Sequence, residues 1–477
     1  MFEEIDKRFA YLLSLQTKKN ADTEIITRAY NKAKELHFYQ KRKDGTPYLM
    51  HPVEVAIILA ELGFDEDTIC GALLHDTIED CGYTMEEMII DFNKNIAEMV
   101  DSVSAIDKTK YIYDHSEIYE DPNFVKSSAE EQTFKKLISL GKKNPLGFCI
   151  KFADRLHNLR TIETFAYPKQ LEKVRETEKW VLPIAKALKA EYFYIQIKNE
   201  CFKIVHRQDG LNYLEQYQTY HTSNAKHIAD VTFTLKELFS EDNIKYILID
   251  TLSERKVFDE LTILNKNIKI KDISQGQLMK VPNYVIYIIY NNNYDKATMY
   301  NTILAKLNKN AVDLHIVDAQ IGNFSEYPYF VVRDNIKNYY RLYILSDDDY
   351  RKLRIGTLDG SYNEIIDEDN INNLDLGQIK VKTRSGEVKL MPKFSTALDF
   401  AFKIHKDIGF AFKYAIINGS KTKCPPYTKL NENDKVEIIT EKDENGALIN
   451  NAQLRWLAYV NTELAKKVLI KYYEEKI

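Results

Sequence analysis

Apolar residues recur three and four positions apart through most of the first 205 residues, the period of helices with one buried face. Between Glu24 and Phe38 the stripe is Ile25, Ile26, Ala29, Ala33 and Leu36. The polar stretch Gln40-Lys41-Arg42-Lys43-Asp44-Gly45-Thr46-Pro47 interrupts it, and its Gly and Pro predict a loop. Helical spacing resumes over Tyr48 to Leu62 and again over Ile150 to Thr161. From about residue 206 the texture changes. Compact apolar runs appear at 246–249, 285–290 and 329–332, with helical stretches such as 296–307 between them. Strand alternating with helix predicts an α/β or α+β unit. The acidic, polar stretch from Glu364 to Asn373 reads as a linker. Beyond it, Val381 alternates into Gly386-Glu387-Val388-Lys389-Leu390, a hairpin pattern. Thr396 to Ile408 carries Ala397, Phe400, Ala401 and Ile404 on one helical face, and 436–440 reads as a closing strand. Leu454 to Lys471 is helical again. The pattern therefore predicts a multidomain α and α+β protein. Its parts are a helical unit 1–205, an α/β unit 206–365, a linker 366–378, a small β-grasp-like unit 379–441 and a helical segment 442–477.

Composition narrows the class. A hydrophobic fraction of 44% supplies real cores, and only 16 Gly and 11 Pro in 477 residues argue against long disordered linkers. A net charge of −5 gives no global nucleic-acid signature. Cys70, Cys81, Cys149, Cys201 and Cys424 are odd in number and never spaced C-x-x-C, which fits a reducing compartment and not a zinc-thiolate site. The acidic start has no apolar signal core, and no run of about 18 apolar residues exists. A cytoplasmic protein without a membrane segment is the expectation.

The stretch richest in chemistry is Leu73-Leu74-His75-Asp76-Thr77-Ile78-Glu79-Asp80. Read as one helix, it sets His75 beside Glu79 and Asp76 beside Asp80, since residues four apart share a face. Imidazole plus carboxylate is a ligand set for a divalent cation. The second acidic pair could steer or deprotonate a water. The octapeptide also fits a solvated helix end with a chance charge cluster. His51, in the first turn of the 48–62 helix, fits either a ligand or a structural histidine. Asp154, Asn158 and Thr161 fall on one face of the 150–161 helix, which could face water or line a cleft. Together His51, His75, Asp76 and Asp154 form a mixed N/O set suited to manganese or a similar ion.

Three strings carry a family likeness: Arg42-Lys43-x-Gly45-x-Pro47-Tyr48-x-x-His51-Pro52, then Leu73-Leu74-His75-Asp76-x-x-Glu79-Asp80, then Lys151-x-Ala153-Asp154-Arg155-Leu156-His157-Asn158-x-Arg160-Thr161. Their order resembles the HD hydrolase domain of the RelA/SpoT family, whose members handle the alarmone (p)ppGpp. Glu176 to Ala185 resembles the helix that closes this domain. The resemblance implies one Mn²⁺ held by His51, His75, Asp76 and Asp154, with Glu79 and Asp80 placing and activating water. It implies that Arg42 and Lys43 meet the guanine ring and phosphates and that Asn158 and Thr161 contact the nucleoside. Asp44, where many relatives carry a small polar residue, and Ala105, where many carry Lys, depart from the pattern.

In long relatives the synthetase domain follows. Here Arg255 to Leu261 stands where a basic helix would hold ATP phosphates, and Ile270-Lys271-Asp272-Ile273 where a strand would follow. No Arg follows Asp272 before Arg333, the Gly-Tyr-x-Ser-x-His stretch is missing, and Tyr340-Arg341-Leu342-Tyr343-Ile344 replaces Glu-x-Gln-x-Arg. The resemblance thus implies a degenerate synthetase fold without synthesis. Residues 395–401, 404–409 and 433–440 resemble a TGS domain. In ribosome-linked relatives that module reads the tRNA acceptor end, and His405 is the matching candidate; the same residue could simply pack or cap its helix. The zinc-finger-like and ACT-type modules of full-length relatives do not follow, which argues against ribosome docking and leaves TGS as an internal regulator. The expected function is Mn²⁺-dependent removal of the 3′-pyrophosphate from ppGpp and pppGpp. The alternatives are an alarmone sensor acting through TGS and an HD hydrolase of another nucleotide, an adenosine alarmone or NADPH.

Overall fold

The structure is a computed structural model. It describes residues 2–18, 21–104, 133–134, 136–137, 140–141, 144–240, 243–308, 314–321, 327–359, 378–392, 395–453, 456–460 and 462–474. The linker at 366–377 and Ala105 lie outside these residues. Two compact units emerge, one made of 1–184 with 366–477 and the other of 185–365.

The first unit opens with helices α1 (Glu3–Thr17), α2 (Thr23–Leu36), α3 (Met50–Leu62), α4 (Glu66–Leu74), α5 (Thr77–Cys81), α6 (Met85–Asp91), α7 (Lys94–Val103), α8 (Leu146–Arg160) and α9 (Tyr167–Glu176). Helix α3 is apolar nearly all round and buries Val53, Val55, Ala56, Ile57, Ile58, Leu59, Ala60 and Leu62, so it is the central rod of the bundle. Two glycines let its neighbours close in. A Cβ on Gly71 of α4 would stand 2.9 Å from Ile150 Cδ1 of α8, and one on Gly147 of α8 would stand 2.2 Å from Ser102 Oγ of α7. That close approach draws the ends of α4 and α8 together.

The stretch 73–80 is not one helix, contrary to the reading above. Helix α4 stops at Leu74 and α5 starts at Thr77. Two side chains occupy the carbonyls that would carry the ladder on. The His75 ring bonds Ala72 O through Nδ1 at 2.8 Å, and Thr77 Oγ1 donates to Leu74 O at 2.7 Å. A helix would have spent those oxygens on the amides of Asp76 and Ile78.

The second unit holds α10 (Glu191–Val205), α11 (Leu211–Leu238), β1 (Ile244–Thr251), α12 (Glu254–Leu264), β2 (Pro282–Tyr290), α13 (Lys296–Asn308), β3 (His315–Ile321), β4 (Pro328–Arg333), β5 (Tyr339–Ser346) and α14 (Asp347–Ile355). Its sheet runs β1-β2-β5-β4-β3, with β2 and β5 parallel and the remaining pairs antiparallel. Strand β2 is covered on both faces, which accounts for its unbroken apolar run. One side packs Tyr213, Tyr220 and Leu235 of α11 with Ile286 and Ile288, and the other packs Tyr350 and Leu353 of α14 with Val285 and Ile289. The strand expected at 270–273 does not form. Ile270–Asp272 is a single 3₁₀ turn, and Ile270 and Ile273, three apart as such a turn requires, are both buried. The strand after α12 is β2.

The rest of the first unit is a β-grasp: β6 (Gln378–Thr383), β7 (Val388–Pro392), α15 (Ala397–Ile404), α16 (Lys406–Phe410), β8 (Phe412–Ile417) and β9 (Lys435–Thr440). The sheet order is β7-β6-β9-β8, with β6 and β9 parallel, and Gly386 turns the β6–β7 hairpin at φ +95°. Two further helices follow, α17 (Trp456–Tyr459) and α18 (Glu463–Glu474). Asp399 is fully buried and completes a capping box with Thr396. It also accepts from Thr462 N and Oγ1 at 2.8 Å, tying α15 to the start of α18. Helix α17 packs on α9. All five cysteines are free, and no described helix is long and apolar enough to cross a membrane.

Candidate metal centre

The break between α4 and α5 turns His75 and Asp76 inward, toward the start of α3 and the middle of α8. One nitrogen or oxygen from each of His51, His75 and Asp154 lies within 4.8 Å of the others. His51 Nε2 is 3.2 Å from Asp154 Oδ1 and 3.7 Å from Asp76 Oδ2. His75 Nε2 is 3.1 Å from Asp76 Oδ2 and 3.9 Å from Asp154 Oδ1. Three separate segments thus present two imidazoles and two carboxylates around a common point.

The donor set fits a divalent ion. Carbonyl oxygens only accept, so the bond to Ala72 O places a proton on His75 Nδ1 and leaves Nε2 facing the cluster. That Nε2 is buried, and although Asp76 Oδ2 lies 3.1 Å away the two are not aligned as a hydrogen bond. An orphaned buried ring nitrogen beside two carboxylates is the arrangement a metal satisfies. Without an ion, protons take that role. Burial opposes charge on His75, but Asp76 and Asp154 outweigh it and hold the ring at about 9. Burial would raise Asp76, yet His75 and His51 hold it well below the usual carboxylate range. Asp154 is likewise held low, against its burial, by Lys151 and the two histidines.

A second layer fixes these groups. Tyr48 OH donates to Asp76 Oδ2 at 2.6 Å, and Lys151 Nζ to Asp154 Oδ2 at 3.0 Å. Asn158 Nδ2 donates to Asp154 Oδ1. The Nδ1 atoms of His51 and His157 stand 2.7 Å apart. Burial, and then His51, push the His157 ring down to about 3. Deeper still, Arg155 Nη2 meets Glu176 Oε1 of α9 at 2.5 Å, and Lys173 Nζ meets Glu176 Oε2 at 2.7 Å, which pins α8 next to Asp154.

Glu79 and Asp80 lie on exposed α5. Asp80 reaches solvent yet is crowded by protein on its inner side, and that partial desolvation, followed by the charge of neighbouring Asp76, raises it above the ordinary carboxylate value. Arg42 Nη2 donates to Asn158 Oδ1 at 3.1 Å, and Lys43 Nζ sits 4.1 Å over the Phe165 ring. Thr161 Oγ1 donates to His157 O at 3.0 Å and closes the end of α8. Asp44 turns into its own loop, where it accepts from Thr46 N at 2.9 Å and Thr46 Oγ1 at 2.7 Å. Its charge therefore serves the turn. His405 is exposed and caps α16, its Nδ1 accepting from Asp407 N at 3.3 Å. Tyr48, Lys151, His157 and Phe165 had no assigned role in the sequence. For Lys151 and His157 the signal was spacing: each is three residues from Asp154, hence on its helix face, whereas Tyr48 precedes α3 in the loop.

The model of the HD domain matches residues 29–189, and that of the TGS domain matches 379–440. A guanosine-3′,5′-bis(diphosphate) 3′-pyrophosphohydrolase of Aquifex aeolicus is 27% identical over 487 residues, covering 95% of this chain and 65% of its own length. The chain is similar to RelA/SpoT-type proteins along nearly its whole length and carries their HD and TGS domains. Other relatives are nearer in sequence over a shorter span. A probable GTP pyrophosphokinase of Mycobacterium leprae is 37% identical over 186 residues, 39% of this chain and 22% of that protein. A bifunctional (p)ppGpp synthase/hydrolase RelA of Mycobacterium tuberculosis is 36% identical over 186 residues, 39% of this chain and 23% of that one. The chain spans less than two thirds of the length of these relatives. These relatives thus carry both hydrolase and synthetase names.

Proposed function

We propose that this RelA/SpoT-like chain is a divalent-metal-dependent 3′-pyrophosphohydrolase of ppGpp and pppGpp, and that the ion is Mn²⁺. The observation that carries the reading is the buried, unpartnered His75 Nε2 facing His51, Asp76 and Asp154. These four residues would hold the ion, which supplies a more acidic water and neutralises phosphate oxygens.

The chain's own residues supply the rest. Water adds to the phosphorus next to the ribose, the bond to the 3′ oxygen breaks, and that oxygen takes a proton as pyrophosphate leaves. GDP or GTP remains. Asp80, held above the usual carboxylate value, would be the group that takes the water's proton, with Glu79 aiming the water. Tyr48 holds Asp76 in place from the loop side. Arg42 and Lys43 offer a planar and a point cation to the guanine ring and the phosphates, and Asn158 and Thr161 line the nucleoside end.

Synthesis is not expected of the middle unit. A cavity of about 350 Å³ beside its sheet is lined by Tyr192, Tyr287, Tyr343 and Tyr350 together with Glu191, Asp250, Lys256, Arg341 and Arg354, and the carboxylate-bearing strand and Gly-Tyr-x-Ser-x-His stretch that phosphoryl transfer would use are missing from the sequence. Arg341 of β5, on that wall, is paired with Glu260 of α12. The TGS unit, with His405 exposed, offers a contact for a tRNA acceptor end or for another part of the chain.

The test is product analysis with ppGpp, pppGpp, an adenosine alarmone and NADPH, each with Mn²⁺ and with chelator. Pyrophosphate and GDP from ppGpp only when Mn²⁺ is present is the expected result. Tight binding of ppGpp without any product would make the chain a sensor, and turnover of another nucleotide alone would change the substrate.

A further inference from the structure

We infer that His157 is a positioning residue that sets the tautomer of His51 and thereby decides whether the centre accepts a metal. The inference rests on reading the cluster as a metal site. The two Nδ1 atoms are 2.7 Å apart, and both rings are buried, at 2% and 8% exposure. Two ring nitrogens at that distance share one proton: one donates and the other accepts. The far nitrogen of His51, Nε2, is the atom that faces Asp154 Oδ1 at 3.2 Å.

Two arrangements of two neutral rings follow. With the proton on His51 Nδ1, His157 accepts and His51 Nε2 turns a lone pair into the cluster. With the proton on His157 Nδ1, His51 accepts, carries its own proton on Nε2, and points it at Asp154. The first is open to a cation. The second closes the site with a hydrogen bond.

The two imidazoles of the centre thus differ in kind. His75 is held by Ala72 O, which can only accept, so its Nε2 always faces the cluster without the Nδ1 proton being negotiable. His51 is held by a partner that can give or take. The ring at 157 lies on α8 three residues after Asp154, and its carbonyl is fixed by Thr161 Oγ1, so its placement is tied to the same helix that supplies a ligand. Outer partners of metal-bound histidines act in this way, orienting the ring and choosing the nitrogen that binds.

The test combines a spectroscopic reading with two substitutions in the full chain. Nitrogen-15 NMR of the imidazoles, in protein loaded with diamagnetic Mg²⁺ or Zn²⁺, is expected to show His157 protonated on Nε2 and bare on Nδ1. A proton on His157 Nδ1 in the loaded protein overturns the inference, and this reading needs no variant to fold. His157→Phe keeps a ring but removes the acceptor, while His157→Asn keeps an oxygen where Nδ1 stood. Calorimetry with Mn²⁺ alone should show His157→Phe weakened roughly 10–100-fold and His157→Asn within about threefold of the parent. Metal-free thermal unfolding confirms that each variant is folded. Equal affinity of His157→Phe and the parent, or an equal loss in both variants, contradicts the assignment. A parent chain that binds no Mn²⁺ removes the metal reading itself, and one that binds Mn²⁺ but leaves ppGpp intact removes only the hydrolase reading.

Discussion

In the helical part of the first unit, His51, His75, Asp76 and Asp154 turn ring nitrogens and carboxylate oxygens toward one another, and His75 Nε2 makes no hydrogen bond. In the second unit, charge is turned the other way. Arg341 is paired with Glu260, and Arg255 Nε meets Asp259 Oδ1 at 2.9 Å, so these two arginines of the α12–β5 region are held by carboxylates of their own unit. Both regions bury polar groups, which is costly unless they are paired. The difference lies in what completes each set. The middle unit leaves single buried atoms open at separate places, such as Glu191 Oε2 and Arg341 Nε, whereas the helical cluster gathers two imidazoles and two carboxylates around one point. An unfinished constellation signals chemistry more surely than the number of charges in it.

The largest contrast should come from single ligands. His75→Ala or Asp76→Ala is expected to lower ppGpp hydrolysis about a thousandfold or more and to abolish tight Mn²⁺ binding. Lys256→Met, on the wall of the middle cavity, should leave hydrolysis within about twofold. Steady-state assays of the three variants check both halves, and equal losses would erase the contrast. Next in size, Glu79→Gln should slow turnover by roughly 10²–10⁴ while Mn²⁺ affinity by calorimetry stays near that of the parent. Smaller still, Arg42→Ala should raise KM about tenfold with little change in kcat, the mark of lost uniform binding. A fall in kcat alone would instead place Arg42 in the chemistry.

A separate effect, on stability and not on turnover, belongs to the middle unit. Glu191 has a buried Oε2 without a partner among the described residues, and burial lifts its carboxyl to about 7 against the pull of Lys256 and Arg341. The folded chain therefore holds this proton at pH values where the unfolded chain has released it. Stability from this group is present below the unfolded value of 4.5 and falls as pH rises toward 7, by up to about 3 kcal/mol. Glu191→Gln should remove that loss, so urea midpoints at pH 5 and pH 8 should lie closer together than in the parent. An unchanged gap would mean that Glu191 does not titrate as its surroundings require.

Much of this was legible from residue types. The apolar run of β2, buried on both faces, and the one-faced helix α15 follow from periodicity. His51, His75, Asp76 and Asp154 stand out because each falls inside a dense string of groups that bind cations. The turn at His75 and Asp76 was not legible, because it depends on His75 and Thr77 capturing carbonyls that a helix would otherwise use. Nor was the 3₁₀ turn at 270–272, where two isoleucines three apart resemble a short strand in a row of letters. His157 was invisible as a partner of His51 because the two are 106 positions apart and meet only when α3 and α8 pack.

The most direct test of the central claim is a crystal of the full chain soaked in Mn²⁺ and measured for anomalous scattering. The account predicts one strong peak within roughly 2.5 Å of His51 Nε2, His75 Nε2, one oxygen of Asp76 and one of Asp154. A peak held by other residues, or none at this point in a crystal whose protein hydrolyses ppGpp, would contradict it.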